Sequence, residues 1–142
     1  MLQIKLAQTE QDKEIAFTIR KKVFVEEQGI PLHLEIDDYD HSASHFIVLD
    51  KDKPIAAARL REIDSGIGKV ERVCVLSEKR GNHFGVFIMN GLEKFARERG
   101  WKKLKLHAQT YAIPFYEKLD FTVTSPEFED AGIPHREMEK VI

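Results

Sequence analysis

Apolar and polar residues recur at two spacings in the first part of the chain, and each spacing predicts one kind of element. Alternation over residues 2–6 predicts a first strand. A helical spacing follows and predicts a helix that begins after Thr9, a typical N-cap, with Asp12 three residues later as its capping-box partner. The predicted buried stripe of this helix consists of Ile15, Ile19, Val23 and Phe24.

Strand-forming runs fill the middle of the chain. HFIVLD and PIAAARLREI predict two strands joined by a turn over Asp50–Pro54, and after the turn SGIG the segment Lys69–Leu76 predicts a third. Between the first helix and these strands, the segment GIPLHLEIDDYDHSAS is acidic and irregular, with room for a short helical turn. We therefore expect a group of adjacent strands at the centre of the fold.

A second amphipathic helix and further strands are predicted from Phe84 onward. Gly100 lies where a left-handed C-cap of that helix belongs. KKLKLHAQ predicts a strand, YAIPFYEKL a short helix, and FTVTS and HREMEKV two more strands. This order predicts one mixed sheet covered by two or three helices, in a single domain over residues 1–142, rather than a regular doubly wound βαβ array.

Composition narrows the class of protein. Of the 142 residues, 42% are apolar and 32% charged, which is typical of an ordered globular domain. A net charge of −2 and a pI of about 6.3 argue against a nucleic-acid binder. The single cysteine, Cys74, excludes an intrachain disulfide, and neither a signal core nor a stretch of ~20 apolar residues is present. We therefore expect a cytoplasmic protein without a membrane partner.

A basic, glycine-containing turn between a predicted strand and a predicted helix is the first candidate for chemistry. It reads SEKRGNHFGVFIM and places Arg80, Gly81 and Gly85 before the helix. A helix N-terminus binds anions through unpaired N–H groups and its positive dipole end, and glycine lets a phosphate approach the backbone. The layout favours a pyrophosphate site. A plain surface turn explains the same glycines, and the common P-loop and Rossmann patterns are absent.

Two segments give the chain a resemblance to a known family. VCVL followed by Arg80–Gly85 resembles the acetyl-CoA-binding motif of the GNAT superfamily of N-acetyltransferases, Arg/Gln-x-x-Gly-x-Gly/Ala. AQTYAIPFYEKLDF resembles that superfamily's segment Asn-x-x-Ala-x-x-Phe-Tyr-x-x-x-Gly-Phe. VFVEEQGIP, ERVCVL and FEDAGIPHREM are similar to the small single-domain YjcF-like or ElaA-like group. Two residues, His83 and Asp120, stand where the family pattern has glycine.

The resemblance implies an α+β fold with a mixed, largely antiparallel twisted sheet flanked by helices, and acetyl-CoA as co-substrate without a metal. The pantetheine arm would run along residues 73–75, and backbone N–H groups of residues 80–86 would hold the pyrophosphate. His83 would either crowd the pyrophosphate or donate a hydrogen bond to it. The implied cofactor-binding residues are Val73, Cys74, Val75, Arg80, Gly81, Asn82, His83, Phe84, Gly85, Val86, Gln109 and Phe115.

The resemblance also implies that an amine attacks the thioester directly, without an acyl-enzyme. Glu71 is the first candidate for the base that deprotonates this amine. Its alternative role is to pair with arginines of the neighbouring strands: Arg59, Arg61 or Arg72. Tyr116 stands where superfamily members commonly place the acid that protonates the departing thiolate, and its alternative role is packing. Cys74 is not favoured as a nucleophile, because a cysteine in mid-strand is usually a small buried apolar residue.

The acceptor is expected to be an amine of a small molecule or a peptide. Glu26 and Asp37 are candidates for binding it because acidic residues near the first helix attract a cation, and His135 because the family segment that it matches lies close to the active site. The acidic loop matches no metal-binding pattern, so no metal site is predicted among Asp37, Asp38, Asp40, His41 and His45. A monomer and a homodimer are both compatible with the sequence.

Two other classes of protein compete with an enzyme. A GNAT-fold module that binds acyl-CoA as a sensor or structural ligand, without turnover, is favoured by His83, whereas Tyr116 and Glu71 together favour the enzyme. A protein-interaction domain without a cofactor would require both motif matches to be accidental.

Overall fold

Eight strands and four α-helices make up the structure, a computed structural model that describes residues 1–142. The strands are β1 (Leu2–Leu6), β2 (Ser44–Asp50), β3 (Lys53–Asp64), β4 (Ile67–Val75), β5 (Lys103–Gln109), β6 (Thr122–Val123), β7 (Phe128–Asp130) and β8 (Ile133–Val141). The α-helices are α1 (Glu10–Arg20), α2 (Leu32–Glu35), α3 (Phe84–Glu98) and α4 (Ile113–Glu117). A π-helical segment at Lys21–Glu27 continues α1, and 3₁₀-helices lie at Asp38–His41, Ser77–Lys79 and Thr110–Ala112. None of these helices combines the length and the apolar character needed to cross a membrane.

All eight strands belong to one sheet. Its order is β1-β2-β3-β4-β5-β8-β6, and β7 also pairs with β8. Every pair is antiparallel except β4 and β5, which run parallel. The prediction of a mixed, largely antiparallel sheet flanked by helices is confirmed. The sequence did not predict β7 because its three residues are too few to show an alternating pattern.

The parallel strands β4 and β5 separate partway along their length. They pair from Ile67 opposite Lys103 to Val70 opposite Leu106, and no pairing follows. Val70 and Leu106 both belong to the core beneath α3, so the residues that come next on each strand face the other side of the sheet. The separation leaves the second half of β4 without a neighbour on the β5 side.

A bulge in β4 follows at once. Arg72 has a left-handed φ of 56°, and the register shifts here: Glu71 lies opposite Arg59, whereas Cys74 lies opposite Ala57. One residue of β3, Ala58, thus lies opposite two of β4, Arg72 and Val73, which is the geometry of a β-bulge. Glu71 and Cys74 therefore share one face of the sheet although they are three residues apart.

Helices cover both faces of the sheet. α1 and the π-helical segment pack on one face through Ala16, Ile19, Val23, Phe24, Ile47, Ala57 and Cys74. α3 packs on the other face, where its apolar side contacts the main core: Ile88, Met89, Leu92, Ala96, Val48, Leu60, Leu104 and Met138. Burial of each large apolar side chain stabilises the fold by about 1.5–3 kcal/mol, so the two clusters fix both helices against the strands that form the site.

Both predicted long helices are present, with a difference at the end of the first. Thr9 Oγ1 accepts a hydrogen bond from the Asp12 N–H at 3.0 Å, which confirms the N-cap. The Asp12 carboxylate pairs with Lys5 Nζ at 3.2 Å instead of completing a capping box. Beyond α1 the chain is π-helical over Lys21–Glu27, which the spacing of apolar residues did not distinguish from an α-helix. Gly100 has the predicted left-handed φ, 77°, after α3.

Candidate active site

An open cleft of about 840 Å³ lies where β4 and β5 separate. Its walls come from the π-helical segment, the second half of β4, the C-terminal half of β5 and the start of β8. Both predicted catalytic residues, Glu71 and Tyr116, line it. The predicted cofactor-binding residues in its wall are Val73, Cys74, Val75, Arg80 and Gln109, and the others lie outside that lining. The split between the strands thus brings together side chains that are far apart in the sequence.

The loop that follows β4 presents free backbone N–H groups. From Gly81 to Val86, no N–H has an acceptor within the protein. The first bond of α3 runs from the Phe87 N–H to the His83 carbonyl at 3.4 Å, and no side chain caps the helix. Successive unpaired donors at the N-terminus of a 15-residue helix suit an anion, as the sequence predicted for this turn.

His83 has a backbone conformation of the kind that glycine favours. Its φ of 62° and ψ of 22° are left-handed, a region in which histidine is enriched over most residues other than glycine. Its side chain is exposed. His83 therefore leaves the course of the loop intact. Asp120, the second departure from the family pattern, is also left-handed, with φ 71°.

Gly85 allows α3 and α4 to approach each other closely. A Cβ atom at Gly85 would lie 3.0 Å from Phe115 Cζ and 3.4 Å from Phe115 Cε1. Phe115 in turn packs edge-on against Tyr116, with 5.0 Å between the ring centroids. Phe115 therefore links the loop of free N–H groups to the tyrosine in the cleft.

Two polar bridges cross the cleft. Arg80 donates from Nε to the Val75 carbonyl at 3.1 Å and from both Nη atoms to the Glu27 carboxylate. Gln109 Nε2 donates to Gln28 Oε1 at 3.2 Å. These bridges tie the ends of β4 and β5 to the end of the π-helical segment. The charge of the Arg80 guanidinium, in the turn predicted to be an anion site, is therefore balanced by a carboxylate.

The Tyr116 hydroxyl is an uncharged proton donor in the cleft that has no protein partner. Tyr111 also lines the cleft but is largely exposed, whereas Tyr116 is half-buried. The ring lies between Phe115 and Phe121, at centroid distances of 5.0 Å and 5.9 Å. Burial raises the pKa of Tyr116 to about 12. The phenol therefore keeps its proton at neutral pH and can donate it to a group bound in the cleft.

Glu71 is held by cations on three sides. Its carboxylate accepts from Arg61 Nε at 2.7 Å and Arg59 Nε at 3.2 Å, and Lys69 Nζ lies 3.3 Å away. Burial raises the pKa of Glu71, but the Arg61 hydrogen bond and the neighbouring charges outweigh burial and lower that pKa below its ordinary value. An ionised carboxylate so stabilised is a weak proton acceptor. These contacts match the alternative role, an ion partner on neighbouring strands.

A buried ion network joins α1, the acidic loop and β3. Arg20 is fully buried and donates from Nε to Glu35 Oε2 at 2.7 Å and from Nη1 to Asp40 Oδ1 at 2.8 Å. Arg59, also fully buried, donates to the same Asp40 oxygen at 2.8 Å and to Asp37 Oδ1 at 2.7 Å. The network orders the loop that the sequence indicated to be irregular.

The structure separates the three predicted acceptor-binding residues. Asp37 takes part in the ion network and does not line the cleft. Glu26 lines a second, smaller groove between the π-helical segment and residues 76–78. His135 alone lines the main cleft. Its ring stacks on Phe128 at 6.1 Å, and Phe128 contacts His107 edge-on at 5.0 Å. Phe128 belongs to β7, and no sequence signal indicated this aromatic contact.

Cys74 behaves as the small buried residue that the sequence predicted. Burial raises the pKa of its thiol to about 12, so it is protonated at neutral pH. Its Sγ lies 3.8 Å from the Ala57 carbonyl, within the apolar cluster under α1. A protonated, enclosed thiol is a poor nucleophile.

His45 makes the stability of the fold sensitive to acid. It is buried and its Nδ1 has no hydrogen-bond partner. Burial lowers its pKa below the ordinary 6.5, although Asp40 opposes the shift. The unfolded chain therefore binds the proton more readily, and we expect the free energy of unfolding to fall as the pH drops below 6.5, by up to about 1.4 kcal/mol per unit of pKa difference.

Urea denaturation at pH values between about 5 and 8 measures this loss. His45→Gln should reduce the slope of the profile in this range, whereas the exposed His41→Gln should not. His107, whose pKa burial also lowers, contributes to the slope that remains. A variant profile that keeps the wild-type slope would show that another group causes the loss. The pKa of the Asp40 carboxylate is also lowered, and this carboxylate adds to the loss of stability only at pH values below 3.8.

Comparisons with known proteins agree with this geometry. The family model for the acetyltransferase (GNAT) domain matches residues 7–142. The uncharacterized N-acetyltransferase YjcF of Bacillus subtilis is 45% identical over 136 residues, which cover 95% of this chain and 96% of that protein. Protein ElaA of Escherichia coli is 30% identical over 128 residues, which cover 87% and 84%.

Solved structures share the fold. An acyl-CoA N-acyltransferase from Pseudomonas aeruginosa has a TM-score of 0.85 at 25% identity over 99% of this chain and 98% of that chain. N-acetylglutamate synthase from Neisseria gonorrhoeae, complexed with coenzyme A and N-acetyl-glutamate, has a TM-score of 0.74 at 18% identity, over 99% of this chain and 35% of that chain. Because the family model covers nearly the whole sequence and the sheet is the acyl-CoA N-acyltransferase fold, this chain belongs to the GNAT family of acetyltransferases.

Proposed function

We propose that the protein transfers the acetyl group of acetyl-CoA to a primary amine of a small molecule or peptide. The observation that carries this proposal is the separation of β4 from β5, with a loop of unpaired N–H groups at the end of β4. Bound acetyl-CoA supplies an acetyl thioester, which is an acyl group already activated toward amines. Membership of the acetyltransferase family supports the reaction class.

The residues present fit such a ligand. The second half of β4 has no neighbour on the β5 side, so its backbone groups are free to bond the amides of a pantetheine arm along Val73–Val75. The N–H groups from Gly81 to Val86 would hold the pyrophosphate, with Gly85 keeping the backbone accessible. Arg80 would then position the loop through its bond to Val75, since its charge is already paired with Glu27.

Tyr116 is the proposed general acid. With a pKa of about 12 the phenol is a weaker acid than a thiol, whose pKa is near ~8.5, so a complete proton transfer to sulfur is uphill by itself. The hydroxyl would therefore stabilise the developing negative charge by donating a hydrogen bond. The hydroxyl proton moves fully to sulfur only as the attacking nitrogen loses a proton, because that proton then replaces the one that Tyr116 has given up.

Gly85→Val tests the cofactor site. The added side chain would meet Phe115 and crowd the backbone where the pyrophosphate is proposed to bind, so we expect the Kd for CoA to rise at least ~10-fold. Calorimetry and thermal melting with acetyl-CoA, CoA and ATP measure it, because a ligand at ~100 times its Kd adds about 2.7 kcal/mol to stability. CoA and acetyl-CoA should stabilise the wild type, and ATP should not.

Asn90→Val is the matched control for this variant. It introduces the same β-branched residue at an exposed position of the same helix, away from the loop. It should keep wild-type affinity for CoA. Equal affinity in the wild type and Gly85→Val would place CoA elsewhere, and no binding by the wild type would overturn the proposed function.

A further inference from the structure

We propose that His135 is the base that accepts the proton of the acceptor amine, through its Nε2 atom. The inference rests on the proposed function, and it differs from the sequence expectation, which gave the role of base to Glu71 and a binding role to His135. Three observations carry it: the tautomer fixed by the backbone, the position of the ring in the cleft, and the surroundings of the competing groups.

A backbone hydrogen bond sets the tautomer. His135 Nδ1 lies 2.7 Å from the Ile133 carbonyl oxygen, and a carbonyl can only accept, so Nδ1 carries the hydrogen. In the neutral ring Nε2 therefore holds the free lone pair. His135 is 8% exposed, and its Nε2 has no protein partner. Nε2 is nevertheless accessible from outside the protein. The only side-chain nitrogen or oxygen that is both enclosed and without a partner is His45 Nδ1, so Nε2 of His135, which also lacks a partner, is not enclosed.

The register of β8 places His135 on the cleft side of the sheet. His135 lies opposite Gln109 in the β5–β8 pair, and Gln109 shares its side of β5 with His107. Since Leu106 faces the core under α3, His107 and Gln109 face the opposite side, and both line the cleft together with His135. Stacking on Phe128 at 6.1 Å, with 21° between the rings, holds the imidazole in place.

The surroundings favour His135 over the other groups in this part of the cleft. Glu71 already accepts from two arginines and faces Lys69. His107 is disfavoured as a base because burial, and then the Lys69 charge, lower its pKa. Asp130 lines the cleft, is exposed and forms no ion pair, so it is free to attract an ammonium group to the His135 side.

The proton balance of the step is simple. The ammonium form of the acceptor gives one proton to His135 Nε2, and the freed lone pair forms the C–N bond as the C–S bond breaks. The nitrogen loses its second proton and the sulfur gains one, supplied through Tyr116. One ammonium and one thioester thus give one amide, one thiol and one proton, which His135 releases to water.

Turnover by His135→Gln tests the assignment. We expect kcat to fall about 10²–10⁴-fold, with the Kd for CoA within about twofold of the wild type, and imidazole added to His135→Ala to restore part of the rate. The assay follows release of the CoA thiol with n-butylamine, spermidine and a lysine-containing peptide as acceptors. The exposed His41→Gln is the control and should retain full activity.

Three results would overturn the assignment or the function beneath it. A large loss of kcat in Glu71→Gln or His107→Gln, with His135→Gln unaffected, transfers the role to that residue. Intact CoA binding with unchanged turnover in His135→Gln overturns the His135 assignment alone. Failure of the wild type to bind acetyl-CoA overturns the proposed function and the assignment with it.

The nitrogen-15 spectrum of the imidazole tests the tautomer that the assignment requires, even if none of the three amines is acetylated. The inference requires Nδ1 of His135 to carry the hydrogen and Nε2 to be unprotonated in the neutral ring, as the bond to Ile133 indicates. Comparison with His135→Gln assigns the signals. A hydrogen found on Nε2 in the neutral ring would remove the base and end the proposal.

Discussion

Tyr116→Phe is expected to lower kcat about 10²–10⁴-fold while leaving the affinity for CoA unchanged. The substitution removes an uncharged hydroxyl in the cleft wall that has no protein partner. It keeps the ring, and with it the edge-on contacts with Phe115 and Phe121 at 5.0 Å and 5.9 Å. The loop that holds the pyrophosphate in the proposal would therefore keep its position. Steady-state kinetics together with calorimetric titration of CoA separate the two effects.

Tyr39→Phe is a suitable control for the loss of a hydroxyl. Tyr39 is exposed, lies outside the cleft, and packs against the Arg61 guanidinium through its ring, a contact that phenylalanine retains. Its turnover should match the wild type. Unchanged turnover in Tyr116→Phe would assign Tyr116 to packing, and CoA binding without turnover in the wild type would favour the sensor class.

Arg20→Met is expected to reduce the free energy of unfolding by about 3–5 kcal/mol, the usual cost of removing one partner from a buried ion pair. Arg20 is fully buried, and its guanidinium bonds Glu35 and Asp40 at 2.7 Å and 2.8 Å. Burial already raises the pKa of Glu35, so the loss of Arg20 leaves a poorly solvated carboxylate whose remaining partner is Arg72, at 3.1 Å. Urea denaturation with matched m-values measures the change.

Two further variants show whether charge or volume causes this loss. Arg97→Met removes an exposed arginine that pairs with Glu93 at 3.1 Å, and it should change stability by less than ~0.5 kcal/mol. The double variant Arg20→Met, Glu35→Leu should recover part of the loss, because it removes a buried carboxylate that has lost one of its two arginine partners, while Arg72 keeps its pair with Asp37. A double variant that is less stable than Arg20→Met would assign the cost to packing instead.

Elements with a local signal could be predicted from the sequence. Thr9 is an N-cap because its hydroxyl reaches an N–H three residues away, and Gly100 ends α3 because glycine tolerates a left-handed φ. The glycine turn after β4 also carries a local signal for an anion site. Gly81 and Gly85 lie beside a helix N-terminus whose N–H groups are not capped by a side chain. Each of these features depends on residues within one or two turns of one another.

Features that depend on distant residues could not be predicted. The Arg20–Glu35 and Arg59–Asp37 pairs join residues 15 and 22 positions apart, and packing rather than spacing selects the partners. The bulge at Arg72 places a left-handed φ on a residue that gives no sign of it. The position of His135 in the cleft likewise depends on its pairing with Gln109 of β5, far earlier in the chain, and therefore lay beyond sequence patterns.

The central role of β8 has a consequence for the order in which the site is made. β8 pairs with β5, β6 and β7, and the ribosome synthesises it after all three. The strands β2, β3 and β4 form successive hairpins. Before β8 is synthesised, β5 has only its four parallel residue pairs with β4. A nascent chain that stops before β8 therefore holds an antiparallel sheet, but neither His135 nor a secured cleft wall. We therefore expect the cleft to form only once β8 has been synthesised, not gradually with chain length.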